Sequence, residues 1–398
     1  MDLLKGIQVL DLADEKASFC SKLLADLGAR VIKIERPDGD PSREMGPFIE
    51  DSSDPKKSLF FFYNNSNKLG ITLNIDHEDG KGIFLRLLQK TDVVVHNFLP
   101  GHLGERGLGF DVLSRVNSKL ILVSVTGFGE NGLRSQYKSC DLAASAFGGQ
   151  MYVTGSQSGP PLKPFGEQSY YAASLFAAVS ILLALRKRAR TGKGEHIDIS
   201  LQEAVVSTLD HVMVRYFYER TIAKRQRGVY WNHSFCILSC KDGHILLAPF
   251  QQWETLVEWM DSEGMGEDLK DEKYREEGYR DSRMDHILEV IERWTKSRTA
   301  QELFKSGQLI RLPWAPISSL KEVLSNPQLK AREFWVDVEH PEIKKSISYP
   351  GSPYKVSHPS SGRWKRAPLV GEDNVRIYQE ELGLSEEEYG RLSSIGVI

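Results

Sequence analysis

The sequence predicts an α/β fold, and three observations predict it. Apolar runs of strand length alternate with helical stretches over the first seventy residues. Both opening strands are built on apolar residues, Ile7, Val9, Leu10 and Leu12 and then Val31, Ile32 and Ile34, as strands covered on both faces are. The alternation then recurs as far as residue 125, which implies a parallel sheet covered by helices.

The elements follow in order. Ile7 to Leu12 is an apolar run of strand length. Ala17 to Leu27 places Phe19, Leu23, Leu24 and Leu27 at helical spacing and stops at Gly28. Arg30 to Glu35 is a β-branched second strand. Gly70 to Asn74 reads as strand, Gly80 to Lys90 as helix, and Val93 to His96 and Leu120 to Val125 as strands. No Gly-x-Gly-x-x-Gly follows the first strand, which continues as Ala13-Asp14-Glu15-Lys16-Ala17. NAD and FAD are therefore not expected. Ala172 to Leu185 is too short an apolar run to span a bilayer and reads as a buried helix. It leads into a basic turn, a Gly192-Lys193-Gly194 hairpin and a strand at Ile197 to Ser200. From about Tyr230 to Ser319 the texture changes. A hairpin at Cys236 to Leu247 turns on Lys241-Asp242-Gly243, and a charged helical stretch runs from Asp261 to Arg293. Pro313 and Pro316 punctuate a boundary, and an amphipathic helix closes the chain. The middle region reads as a smaller inserted α+β domain.

Composition bounds the function. At 398 residues the chain suggests two domains. Its net charge of −3 gives no bulk electrostatic case for nucleic acid or an anionic membrane. The N-terminus lacks a signal peptide's apolar core. The four cysteines form neither a disulfide framework nor zinc-type pairs, so reduced thiols, a cytoplasmic location and no metal are expected.

Six motifs occur in one order: Val31 to Pro37, Asn67-Lys68, Asn97 to Gly101, Gly127-Phe128-Gly129, Thr191 to Gly194, and Pro368 to Glu372. Together with the closing Gly396-Val397-Ile398, they resemble the class III CoA-transferase family, the carnitine/bile-acid CoA-transferase type. The resemblance implies a large Rossmann-like domain built from both chain ends, residues 1–225 and 320–398, with residues 226–319 inserted. It also implies two subunits threaded through one another as an interlocked dimer.

The family's chemistry needs a carboxylate. An aspartate attacks the donor thioester, and the CoA thiolate opens the resulting anhydride. Counted back from Thr191, the family's aspartate falls at 169 or 170, where this chain has Ser169 and Tyr170. Neither can form the anhydride, so no catalytic residue is expected here. Glu167 is a weak substitute, because its offset points it elsewhere and a misplacement of about 1 Å costs on the order of a hundredfold in rate. A solvated loop glutamate is the preferred reading for it.

For coenzyme A or an acyl-CoA as substrate, the resemblance implies contacts from Arg36, Lys68, Asn97, Phe98, Arg106 and Lys138. Arginine and lysine suit phosphates, and Phe98 suits adenine. Glu15 to Ser18 and Leu69 depart from the family's pattern. His196 reads as strand-edge packing, Asp141 as an N-cap or a local structural residue, and Tyr170, Tyr171 and Phe176 as a core stripe.

The resemblance points to the family's heteromeric branch, in which succinyl-CoA gives CoA to (R)-benzylsuccinate in anaerobic aromatic breakdown. This chain would be the inactive subunit, paired with a catalytic paralogue as an interlocked heterodimer or heterotetramer. Two alternatives stand beside that reading. One is a self-sufficient CoA-transferase or CoA-thioester racemase using another residue such as Glu167. The other is an acyl-CoA binding protein without catalysis.

Overall fold

The computed structural model describes residues 3–156, 158–225, 229–230, 235–357 and 364–398. These divide into two compact units. One comprises Met1–Thr154, Leu162–Ala223 and Glu333–Ile398, and the other Gly155–Pro161 and Lys224–Arg332.

The first unit is organised by six strands: β1 (Gln8–Asp11), β2 (Arg30–Glu35), β3 (Leu69–Thr72), β4 (Val93–His96), β5 (Ile121–Thr126) and β6 (Glu195–Ser200). They form one sheet in the order β3-β2-β1-β4-β5-β6, and every neighbouring pair is parallel. This is the doubly wound order, whose crevice opens between β1 and β4. Side chains alternate between two cores. Val9, Val31, Val93, Val95 and Val123 face one, and Leu10, Ile32, Ile71, Val94 and Leu122 face the other.

α1 (Ser18–Asp26) and the helix Gln168–Thr191 cover the first face. The long helix exceeds the expected 172–185 because its basic end, Arg186 to Arg190, consists of good helix formers. By length and composition it could cross a bilayer, but Ala173, Ala177, Ala178, Ile181 and Ala184 bury one side of it in the core. Gly192-Lys193-Gly194 forms no hairpin. Gly192, at φ +69°, ends the helix by donating its N–H to Arg188 O at 2.8 Å. Gly194 then passes so close to Leu120 that a Cβ would lie 1.9 Å from its carbonyl oxygen.

α2 (Leu59–Asn64) packs its Phe61 and Phe62 with a hairpin of β11 (Trp335–His340) and β12 (Lys345–Pro350). α3 (Glu78–Leu88) covers the second face of the sheet. The C-terminal segment closes the sheet's edge. Asp373 and Asn374 accept from the Gly70 and Thr72 amides, and the Tyr378 hydroxyl donates to Thr72 O.

The second unit carries an antiparallel sheet of β7 (Val229–Tyr230), β8 (Phe235–Cys240), β9 (Gly243–Leu247) and β10 (Ala315–Pro316). The β8–β9 hairpin turns at Lys241 and Asp242, as its sequence predicts. The charged stretch is broken into pieces rather than one helix: Trp253–Ser262, Glu277–Ser282 and Met284–Thr295. Trp253, Trp294 and Trp314 fill this unit's core.

Candidate functional site

A cleft of about 390 Å³ opens at the carboxyl ends of four strands. Leu12 and Asp14 follow β1, Arg36 to Pro41 follow β2, Leu73 to Asp76 follow β3, and Asn97, Phe98 and His102 follow β4. Ligands bind at this end of an open parallel sheet, where the strand order reverses.

Three of the six sequence candidates line the cleft: Arg36, Asn97 and Phe98. Arg36 is exposed. Phe98 stacks on His102 at 4.5 Å and on His96 at 5.6 Å. Asn97 is committed to the wall itself, because its Oδ1 accepts from the Asp14 amide at 2.8 Å and its Nδ2 donates to Asp14 Oδ1. Asn97 thus fixes the loop after β1. Burial pushes the Asp14 carboxyl up, with Lys16 opposing.

Arg106 donates through Nε to Asp76 and through Nη1 to His102 O at 3.1 Å. That bond holds the Asp76 carboxyl below the usual range, so it stays ionised. Glu35 and Asp40 also border the cleft, but Arg43 neutralises the first and Lys33 the second. Lys138 is exposed, in the segment that Gln136 ties to Pro100 O at 3.1 Å.

Lys68 departs from the reading given by the sequence. Its side chain is fully buried and its Nζ donates to Asp11 Oδ2 (2.8 Å), Ser18 O (2.9 Å) and Asn65 Oδ1 (2.8 Å). All three ammonium hydrogens are spent, so Lys68 offers nothing to a phosphate.

The position of the family's aspartate forms a second cluster. Tyr170 is 5% exposed and its hydroxyl accepts from the Asp141 amide at 3.0 Å. Burial, and next the nearby Glu15, push its phenol up. Asp141 does not cap its own helix, Asp141–Phe147. Its Oδ1 instead accepts from the Ser169 amide at 2.7 Å, capping the first turn of Gln168–Thr191, while the Ser169 hydroxyl donates to Asp141 O at 3.1 Å. Lys163 approaches Asp141 Oδ2 at 2.7 Å as an ion pair without hydrogen-bond alignment. Glu167 is a loop residue before the long helix, half-buried beside this carboxylate. Burial and Asp141 push its carboxyl up, with Lys163 opposing.

The aromatic stripe is likewise divided. Tyr170 is core, Tyr171 meets Phe19 edge-on at 4.7 Å, and Phe176 is 43% exposed. His196 bonds Ser124, which also bonds His96, in the strand-packing role expected of it.

The Asp141 geometry makes a prediction. Asp141→Ala removes a helix cap and the ion partner of Lys163, which keeps the Gly166 carbonyl, so the chain should lose about 1–2 kcal/mol of stability, read by denaturant unfolding. An unchanged midpoint would remove Asp141 from this structural role.

Among the described residues, no group of three or more His, Cys, Asp or Glu side chains could hold a metal ion. CoA-transferase family III matches residues 4–374. The chain is 33% identical to the succinyl-CoA:(R)-benzylsuccinate CoA-transferase subunit BbsE of Thauera aromatica, over 98% of this chain and 97% of that one. It is 31% identical to the succinyl-CoA:mesaconate CoA-transferase of Haloarcula hispanica, over 96% of each. Among solved structures, a CaiB/BaiF family protein from Brucella suis superposes with a TM-score of 0.83 at 29% identity, over 94% of this chain and 98% of that one. With the doubly wound sheet, the cleft at its strand ends and a match that spans the chain, this protein belongs to CoA-transferase family III.

Proposed function

We propose that the chain is a catalytically inactive subunit of a heteromeric CoA-transferase, interlocked with a paralogue that carries the nucleophilic aspartate. The observation that carries this reading is Tyr170. Of the two positions where the family's aspartate is expected, Ser169 carries a hydroxyl and Tyr170 a buried phenol bonded to the Asp141 amide. An aryl ester cannot open to the acid anhydride on which the exchange depends. The partner's aspartate would attack the donor thioester and expel the CoA thiolate. The thiolate would attack the aspartyl carbonyl of the anhydride, giving an enzyme thioester and releasing the donor acid. The acceptor carboxylate would then displace the thiolate to form a second anhydride. The thiolate's attack on the acceptor carbonyl would release the new acyl-CoA and free the aspartate.

Two further observations support a subunit role. The long helix leaves Leu175, Phe176, Val179, Leu182 and Leu183 exposed on its outer side, and a run of apolar side chains of this kind marks an interface. The 33% identity with BbsE supports succinyl-CoA as donor and (R)-benzylsuccinate as acceptor. Four unpaired thiols suit a cytoplasmic complex.

A second reading makes Glu167 the nucleophile or an acid–base group. Its raised pKa favours the acid–base role, not the nucleophilic one. The abutting Asp141 disfavours it, because a neighbouring anion opposes the charge a carboxylate needs to attack.

Co-expression with the paralogue should yield one complex of both chains, active only while the partner's aspartate is intact. A soluble homodimer of this chain that turns over succinyl-CoA would overturn the proposal.

A further inference from the structure

Two histidines meet across one serine on three adjacent strands. The buried Ser124 hydroxyl on β5 lies 2.9 Å from His96 Nε2 on β4 and 2.9 Å from His196 Nε2 on β6. His196 is exposed and stacks on Phe110 at 5.5 Å. His96 is buried, and its ring stacks behind Phe98, which lines the cleft. Among the described residues no partner meets His96 Nδ1.

The hydrogens along this row are coupled. A hydroxyl has one hydrogen to give, so Ser124 donates to one imidazole and accepts from the other. Donating to His96 would put that ring's hydrogen on Nδ1, a buried donor without an acceptor, which is worse than a bare ring nitrogen. The resting order therefore runs from His96 Nε2–H through Ser124 to His196 Nε2. A proton added to His196 fills that Nε2 and ends its role as acceptor. Accepting from both rings would crowd two N–H donors on Ser124 and leave its own hydrogen buried and unbonded. The aligned alternative turns the whole row, with Ser124 donating to His96 Nε2. Burial, and next His196, push the His96 imidazole down to about 3, so it stays neutral and only its tautomer responds.

We propose that His196, Ser124 and His96 form an acid-sensitive switch behind the cleft wall. Protonation of His196 moves the His96 hydrogen from Nε2 to Nδ1, beneath Phe98, and loosens the segment from His96 to His102. Other titratable groups flank the row. His102 acts on His96 from the helix His102–Glu105, and Arg106 and Asp76 act on His102. On the helix Phe110–Val116, Asp111 and Arg115 pair with each other. Asp198, next along the same face of β6, has its Oδ2 on the Glu130 amide at 2.9 Å.

The test uses the full chain, isotope-labelled at its histidine ring nitrogens, in the assembly in which it purifies. Ring nitrogen shifts report which atom of each imidazole carries hydrogen, and His96→Gln and His196→Gln assign the signals. The titration runs from about pH 8 to about pH 5, the span over which histidine changes charge. His96 should stay neutral and swap its hydrogen from Nε2 to Nδ1 as His196 takes up its proton. Amide exchange over residues 96–102, corrected for the intrinsic effect of pH, should rise about fivefold or more, as one unsatisfied buried donor would cause. His196→Gln, a change at an exposed ring, should abolish both responses, and Ser124→Ala should uncouple His96 from His196. A His96 ring that keeps its Nε2 hydrogen throughout would overturn the switch. So would exchange that does not rise, or that rises equally in His196→Gln.

Discussion

Lys68→Met should destabilise the chain by roughly 3–5 kcal/mol, the cost of breaking a buried ion pair and leaving one charge uncompensated. Asp11 would keep only the Ser21 hydroxyl and the Ala13 amide as donors, in a site where neither partner of the pair is exposed. Burial already pushes the Lys68 ammonium down to about 8, with Asp11 opposing, so the pair survives by mutual support. The double variant Lys68→Met, Asp11→Leu should recover much of the loss, because an apolar pair of similar volume often replaces a buried ion pair without penalty. Denaturant unfolding of the two single variants and the double closes the cycle. A Lys68→Met chain of native stability with weakened CoA binding would instead return Lys68 to the ligand.

Restoring the family residue should not restore activity. Tyr170→Asp removes a buried ring, a change of the kind that costs about 3–5 kcal/mol, and leaves the Asp141 amide without its acceptor. The new carboxylate would join Glu15, Glu167 and Asp141; Asp141 and Glu15 already act on Glu167, and Glu15 and Glu167 on Tyr170. Crowded anions raise the pKa of a carboxylate and bury its reactive form. The expected result is no CoA transfer above background by the Tyr170→Asp chain alone, and a lowered unfolding midpoint. Transfer at the rate of an intact enzyme would show that the rest of the machinery had been kept.

The sheet was legible because buried parallel strands are near-continuous apolar runs; Arg30–Glu35 and Val93–His96 match their expected limits. The long helix was underestimated because its basic last turns carry no apolar period. Arg36, Asn97 and Phe98 were named through the family resemblance, and they line the cleft because they directly follow strands. Lys68 was misread because its partner Asp11 lies 57 residues away, and only the folded chain brings them together. Asp141 was read as an N-cap or a local structural residue; it is structural, but the helix turn it caps lies 28 residues on, at Ser169. Asp76 gave no signal, since an acid in a polar loop looks like solvation until Arg106 is found on it, 30 residues on.

The central claim, that this chain supplies no nucleophile, is tested most directly by covalent trapping in the assembled complex. The complex would be incubated with succinyl-CoA, quenched with hydroxylamine or borohydride, and digested for mass spectrometry. The account predicts a modified aspartate on the partner subunit, and unmodified Glu167 and Asp141 on this chain. A hydroxamate or reduced adduct on Glu167 or Asp141 would contradict it.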